Sequence, residues 1–208
     1  MILKLFRSSP PMANIRDLYG AIVAQARRPA FYTDPAMGKG AGYGVPDTVE
    51  GRFDLIVLHL VLVLFQIGDQ APAAGIQDQA QREIGQNLFD EFCRDLDDNL
   101  REMGVGDLTV PKKMRGFAEA FYGRQAVYVA ALAANDQRDL ENALARNIFG
   151  DTKAGAGPAR LAAYVRAALS QFKAQGQDAF EAALRRGKLS FPEPESVSAP
   201  NREAIQNG

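Results

Sequence analysis

The chain has 208 residues, 47% of them hydrophobic, which is enough for one sizeable core. Lys and Arg number 24 against 25 Asp and Glu, and a net charge of −1 argues against a nucleic-acid surface, which needs clustered excess Lys and Arg. The single cysteine, Cys93, forbids an internal disulfide, and the single histidine, His59, forbids a multi-histidine metal centre or a bis-histidine haem within one chain.

Met1 to Phe6 is apolar, but Lys4 interrupts it and Pro10-Pro11 follows, so it is too short for the hydrophobic region of a signal peptide. It also lacks the Arg- and Ser-rich length of an organellar presequence, and the expected location is cytoplasmic. Residues 1–11 are expected to be a flexible start. Met1, Ile2, Leu3, Leu5 and Phe6 with Lys4 and Arg7 offer the alternative of a peripheral contact with an anionic membrane.

Ile15, Leu18, Tyr19, Ile22, Val23 and Ala26 form one apolar helical stripe, which Pro29 ends. Residues 29–46, rich in Gly and Pro, read as a loop. Asp47 or Thr48 can cap the next helix. In that helix Leu55 to Leu58 and Leu60 to Leu64 cover all faces, which suits the centre of a bundle. The apolar run from Phe53 to Ile67 falls short of the about 20 residues of a membrane span and contains Asp54, His59 and Gln66. Residues 68–75 form a Gly/Ala/Pro linker. Ile84, Leu88, Phe92, Leu96, Leu100 and Met103 then mark a helix that Gly104 stops. Pro111 suits the first turn of the next helix, whose stripe is Met114, Phe117, Phe121, Tyr128 and Leu132.

Arg138 to Phe149 reads as a shorter helix, Gly155 to Pro158 as a turn, and Leu161, Tyr164, Val165, Ala168, Leu169 and Phe172 as another helical stripe. A last short helix runs from Asp178 to Arg186, ended by Gly187. The pattern predicts an all-α, single-domain bundle of six to seven helices over residues 12–190, built around a central apolar helix at about 50–67. Residues 191–208 are expected to be a disordered tail.

Motifs that would carry chemistry fail on spacing. A phosphate loop ending at Gly38-Lys39 would need glycine where Thr33 stands and Ser or Thr where Gly40 stands. A calcium loop starting at Asp95 would need Gly and Glu where Leu100 and Gly106 stand. Asp97 and Asp98 are neighbours and diverge by about 100° on a helix, so they do not converge on one substrate. His59 and Cys93 read as core packing residues. No catalytic, metal or cofactor residue is assigned.

One charge pattern opposes local physics. Residues 90–102 carry Asp90, Glu91, Asp95, Asp97, Asp98 and Glu102 against Arg94 and Arg101, so acids reach the C-terminal end of their helix. The next helix opens with Lys112, Lys113 and Arg115. The macrodipole prefers the reverse of both, and each misplaced charge costs about 0.3–1 kcal/mol at an exposed site. Three readings are open: ion pairs between the acidic end and the basic start, a composite surface that meets a partner, or an anion held at the basic helix start. On the second reading the partner-binding candidates are Asp95, Asp98, Arg101, Asp107, Lys112, Lys113, Arg115, Tyr122 and Arg124, the tyrosine and the last arginine being of types enriched at interfaces.

Three blocks in order resemble the ubiquinol–cytochrome c chaperone family: Arg52 to Leu60, then Phe89 to Asp107, then Val110 to Met114 followed by Phe121 to Arg124. The resemblance covers roughly residues 14–172. It implies a helical, non-enzymatic assembly factor of the respiratory bc complex that binds cytochrome b or another subunit of that complex. Mitochondrial members act near the inner membrane with a small partner protein, which makes such a protein a further candidate partner. Without a presequence this chain resembles a bacterial member, expected in the cytoplasm or at the cytoplasmic face of the inner membrane. The competing expectation is a helical carrier of a small apolar ligand such as a quinone or lipid, which needs an enclosed apolar cavity.

Overall fold

The computed structural model describes residues 12–33, 42–69, 76–150 and 155–197. Among the described residues seven α-helices follow one another: α1 (Met12–Ala26), α2 (Val49–Asp69), α3 (Ile76–Glu102), α4 (Val110–Ala134), α5 (Gln137–Ile148), α6 (Gly157–Ala174) and α7 (Gln177–Arg185). Two short 3-10 turns, Pro29–Phe31 and Pro194–Ser196, complete the elements, and no strand occurs among the described residues. The all-α expectation therefore holds. Part of the expected 68–75 linker instead continues α2 to Asp69, and α6 begins inside the expected 155–158 turn.

The central helix is α2, because its apolar residues leave no polar side to face water. Leu55, Val57, Leu58 and Leu60 to Val63 are all buried, and α2 touches α1, α3, α4, α5 and α6. By length and composition Val49–Gly68 could cross a membrane, yet 72% of an apolar 18-residue stretch of it is buried inside the protein. Neighbouring helices take the place that lipid would have.

The start of α2 is fixed tightly. Thr48 Oγ1 accepts a hydrogen bond from the Gly51 backbone N–H at 3.1 Å, so Thr48 is the cap, while Asp47 pairs with Arg52 at 2.7 Å. A Cβ on Gly51 would overlap the Pro46 carbonyl oxygen, a backbone atom that cannot swing aside. Gly51→Ala is therefore expected to destabilise the fold by about 1–3 kcal/mol, the range for overpacking, although alanine favours helices. A lowered midpoint in chemical denaturation checks this, and an unchanged midpoint would show that the chain entering α2 can move.

His59 lies at the heart of the bundle and is fully buried. Its Nδ1 lies 2.7 Å from the Leu55 carbonyl oxygen, which can only accept, so Nδ1 carries the proton. Nε2 then accepts from the Tyr164 hydroxyl at 2.9 Å, and that hydroxyl accepts in turn from Gln25 Nε2 at 3.0 Å. The histidine thus has two partners and is held neutral, and burial pushes its pKa down to about 4. Phe31, Tyr164 and Phe191 pack their rings around it at 5.3 to 5.5 Å between centroids.

The C-terminal segment departs from the expected disorder over 191–208. Leu189, Phe191 and Pro194 are buried, Gln25 donates to the Pro192 carbonyl at 3.0 Å, and the Tyr43 hydroxyl donates to the Pro194 carbonyl at 2.8 Å. Arg28 pairs with Glu193 and Glu195. The prolines that read as disorder instead offer backbone carbonyls: that of Pro192 receives Gln25 of α1, and that of Pro194, which opens the second 3-10 turn, receives Tyr43. The expected flexible start, residues 1–11, and the remainder of the tail, 198–208, lie outside the described residues.

Candidate functional site

The acidic end of α3 and the basic start of α4 are joined by the turn at 103–109. Gly104 has φ of 77°, a conformation natural to glycine, and closes α3. Its N–H donates to the Arg101 carbonyl at 2.9 Å and that of Val105 donates to the Leu100 carbonyl at 3.0 Å, the paired bonds of a Schellman stop. Pro111 stands in the first turn of α4 as expected. Phe53, near the start of α2, contacts Phe92 of α3 at 6.1 Å and Phe117 of α4 at 5.2 Å between ring centroids. The starts of α2 and α4 and the end of α3 therefore share one end of the bundle.

The charges at this end do not neutralise one another in the expected way. Arg101 bridges Asp97 at 2.6 Å and Asp107 at 2.5 Å, and Arg94 bridges Glu91 and Asp98. Asp95 accepts from the Tyr19 hydroxyl of α1 at 2.8 Å. Glu91, Asp97, Asp98 and Asp107 are thus served by arginines of α3, and Asp95 by α1. Lys112, Lys113 and Arg115 are exposed and make no ion pair among the described residues. Four-residue spacing within α3 wins because Arg94–Asp98 and Asp97–Arg101 are neighbours on one turn, whereas a partner across the loop must be reached by a flexible lysine. Three cations therefore remain at a helix start that disfavours them.

Two of the nine candidate residues are not on a free surface. Arg124 turns inward, with Nη2 2.8 Å from Asp54 Oδ1 and its guanidinium 5.8 Å from the Phe53 ring centroid. It anchors α4 to α2. Burial raises Asp54 to a pKa of about 6 despite that arginine, and the buried Tyr128 hydroxyl beside them makes no hydrogen bond among the described residues. Asp95 is half-buried in its bond to Tyr19. Tyr122, by contrast, is 55% exposed and packs one side of its ring on Phe89 and Phe121, at 5.5 and 5.4 Å between centroids. Phe121 is core.

The sequence pattern missed the apolar part of this end. Met103, read as the last residue of the α3 stripe, is 69% exposed, and Leu108 in the turn is 98% exposed. Val49 at the start of α2 is exposed too. The stripe ends at Leu100 because the Schellman turn carries the chain off the α3 axis after Glu102. The available signal was the turn itself: a leucine between Asp107 and Thr109 has no helical partner to bury it.

One cleft of about 380 Å³ opens beside this end, lined by Arg27, Pro29, Tyr32, Thr33, Asp47 and Arg52. Its guanidinium and carboxylate walls are not those of the enclosed apolar chamber that a quinone or lipid carrier needs. The Cys93 thiol is half-buried and pushed up by that burial, which suppresses the reactive thiolate.

The family model described as Ubiquinol-cytochrome C chaperone matches residues 41–186, which run from before α2 through α7. Among solved structures, the crystal structure of the Cbp3 homolog from Brucella abortus is 35% identical, with a TM-score of 0.69 over 89% of this chain and 92% of that one. No curated protein matches the chain. The three blocks noted in the sequence fall within or against the matched span, and α2, the end of α3 and the start of α4 are where those blocks fold. On a match that spans well over half of its sequence and on a shared helical fold, the chain belongs to the ubiquinol–cytochrome c chaperone family.

Proposed function

We propose that this chaperone holds cytochrome b while ubiquinol–cytochrome c reductase is assembled, at the cytoplasmic face of the inner membrane and without catalysing a reaction. The observation that carries the reading is the end of the bundle where Lys112, Lys113 and Arg115, without an ion pair among the described residues, stand with exposed Met103 and Leu108. A client that is not yet folded into its complex exposes apolar segments together with charged loops. A surface offering apolar contact beside uncompensated charge suits both. Isolated surface ion pairs are worth only about 0–1 kcal/mol, so the cations serve selection and approach more than the fold. Deleting the gene is expected to remove assembled bc complex from membranes while cytochrome oxidase remains, read by reduced-minus-oxidised haem spectra and native gels. Normal bc complex in the deletion strain overturns the reading.

A further inference from the structure

The helix α4 has an outer face that its neighbours lack. Its inner face buries Phe121, Tyr128, Ala131 and Leu132. A helix side that faces water is ordinarily polar. On α3 the exposed positions include Asp90, Arg94 and Asp98, and on α5 they include Arg138, Asp139 and Arg146. On α4, from Ala120 to Ala134, the exposed positions are Tyr122, Gly123, Ala126, Val127, Ala130, Ala133 and Ala134, with no charge among them. At 1.5 Å per residue this uncharged seam is about 22 Å long. A Cβ placed on Gly123 would meet no atom within 4 Å, so the seam is open. Tyr122, 55% exposed, and Val127, 40% exposed, rise along it. Beyond its N-terminal end, past Glu119, stand Lys112, Lys113 and Arg115, without an ion pair among the described residues.

We propose that the outer face of α4 seats one apolar helix of the client, a membrane-spanning segment not yet in its bilayer, with its anionic end on Lys112, Lys113 and Arg115. This rests on the cytochrome b reading above and names the part of the client that binds. The seam offers almost no side-chain donor or acceptor, so its occupant must satisfy its own backbone hydrogen bonds, which a helix does and an extended peptide does not. Glycine and alanine let two helix axes approach closely and gain from packing. The same small side chains would bury little area in a lipid surface, which favours a helix over a bilayer as the occupant. Charge sets the direction: the C-terminal end of a helix carries partial negative charge and fits the basic end of the seam.

The test places a photocrosslinking benzoylphenylalanine at Val127, and at exposed Asn142 of α5 as control, in cells making cytochrome b. The expected result is a cytochrome b adduct at Val127 about tenfold above that at Asn142, the spread that a specific seat gives over chance encounter. Gly123→Leu fills the seam while replacing a poor helix former by a good one in open space, so the protein is expected to melt at the same temperature or higher and to lose the adduct. Equal adducts at the two positions, an adduct joining two copies of this chain, or a full adduct in Gly123→Leu overturns the proposal. The gene deletion runs alongside. If deletion removes the bc complex and Gly123→Leu restores it fully, the α4 seat is wrong and the chaperone reading stands. If deletion leaves the complex normal, both fall.

Discussion

Reversing Lys112 and Lys113 to Glu together is expected to reduce cytochrome b recovered with the chaperone by about tenfold or more, with an unchanged or slightly higher melting temperature. The two halves of that result have separate causes. Both lysines are exposed at the start of α4 and have no acid paired with them among the described residues, so no ion pair seen there is lost. The macrodipole prefers anions there, and each reversal removes an unfavourable term of about 0.3–1 kcal/mol and adds a favourable one of similar size. Asp97, Asp98, Glu102 and Asp107 lie nearby and repel the new glutamates, which offsets part of that gain; Arg101 already draws Asp97 and Asp107 to itself. The fold therefore has no reason to weaken. The client does: a positive end becomes negative, and like charge across an interface slows encounter and speeds release. Measuring melting by circular dichroism and client recovery by affinity purification separates the outcomes. A drop in melting with unchanged recovery would mean that the lysines serve the bundle.

The bundle itself was legible because its helices keep strict periodicity and its stops are chemical. Gly104 and Gly187 end helices where glycine was read as a stop, and Pro111 opens one. The all-round apolar run of α2 could only be central. What the sequence hid depends on long-range partners. Pro192 and Pro194 read as disorder because their value lies in carbonyls offered to Gln25 and Tyr43, each about 150 or more positions away in sequence. Arg124 looked like an interface residue because arginine often is one; only the packing of α4 on α2 reveals that Asp54 claims it. The charged turn was located correctly as a local anomaly, but the choice between mutual pairing and a free surface rests on rotamers. Arg94 and Arg101 took Glu91, Asp97, Asp98 and Asp107 and left the lysines without an ion pair among the described residues. The outer face of α4 was present in the sequence as a run after Glu119 whose one charge, Arg124, turns inward to Asp54, masked by the stronger apolar stripe on the other side of the same helix.

Removing His59 is the substitution expected to cost the fold most. His59→Ala leaves a cavity among Phe31, Tyr164 and Phe191 and strips a partner from both the Leu55 carbonyl and the Tyr164 hydroxyl. The expected loss is about 3–5 kcal/mol, combining a large-to-small core change with unsatisfied buried groups. The same residue governs acid stability. Its pKa falls from 6.5 to about 4 on folding, so its contribution is complete above pH 6.5 and is lost as pH falls toward about 4, where the folded protein must bury a charge. Asp54 works in the opposite sense. Its pKa rises from 3.8 to about 6, so relative stability is gained as pH falls through about 6 toward 3.8. Across pH 4 to 6.5 the two nearly offset in the native chain. Asp54→Asn removes only the second contribution, and its stability relative to the native chain is expected to fall progressively on acidification from pH 6.5 to 4.5. His59→Gln, which keeps a polar side chain and removes the titration, is expected to show the reverse slope. Urea midpoints at several pH values check both, and parallel curves for all three proteins would show that neither group changes its protonation on folding.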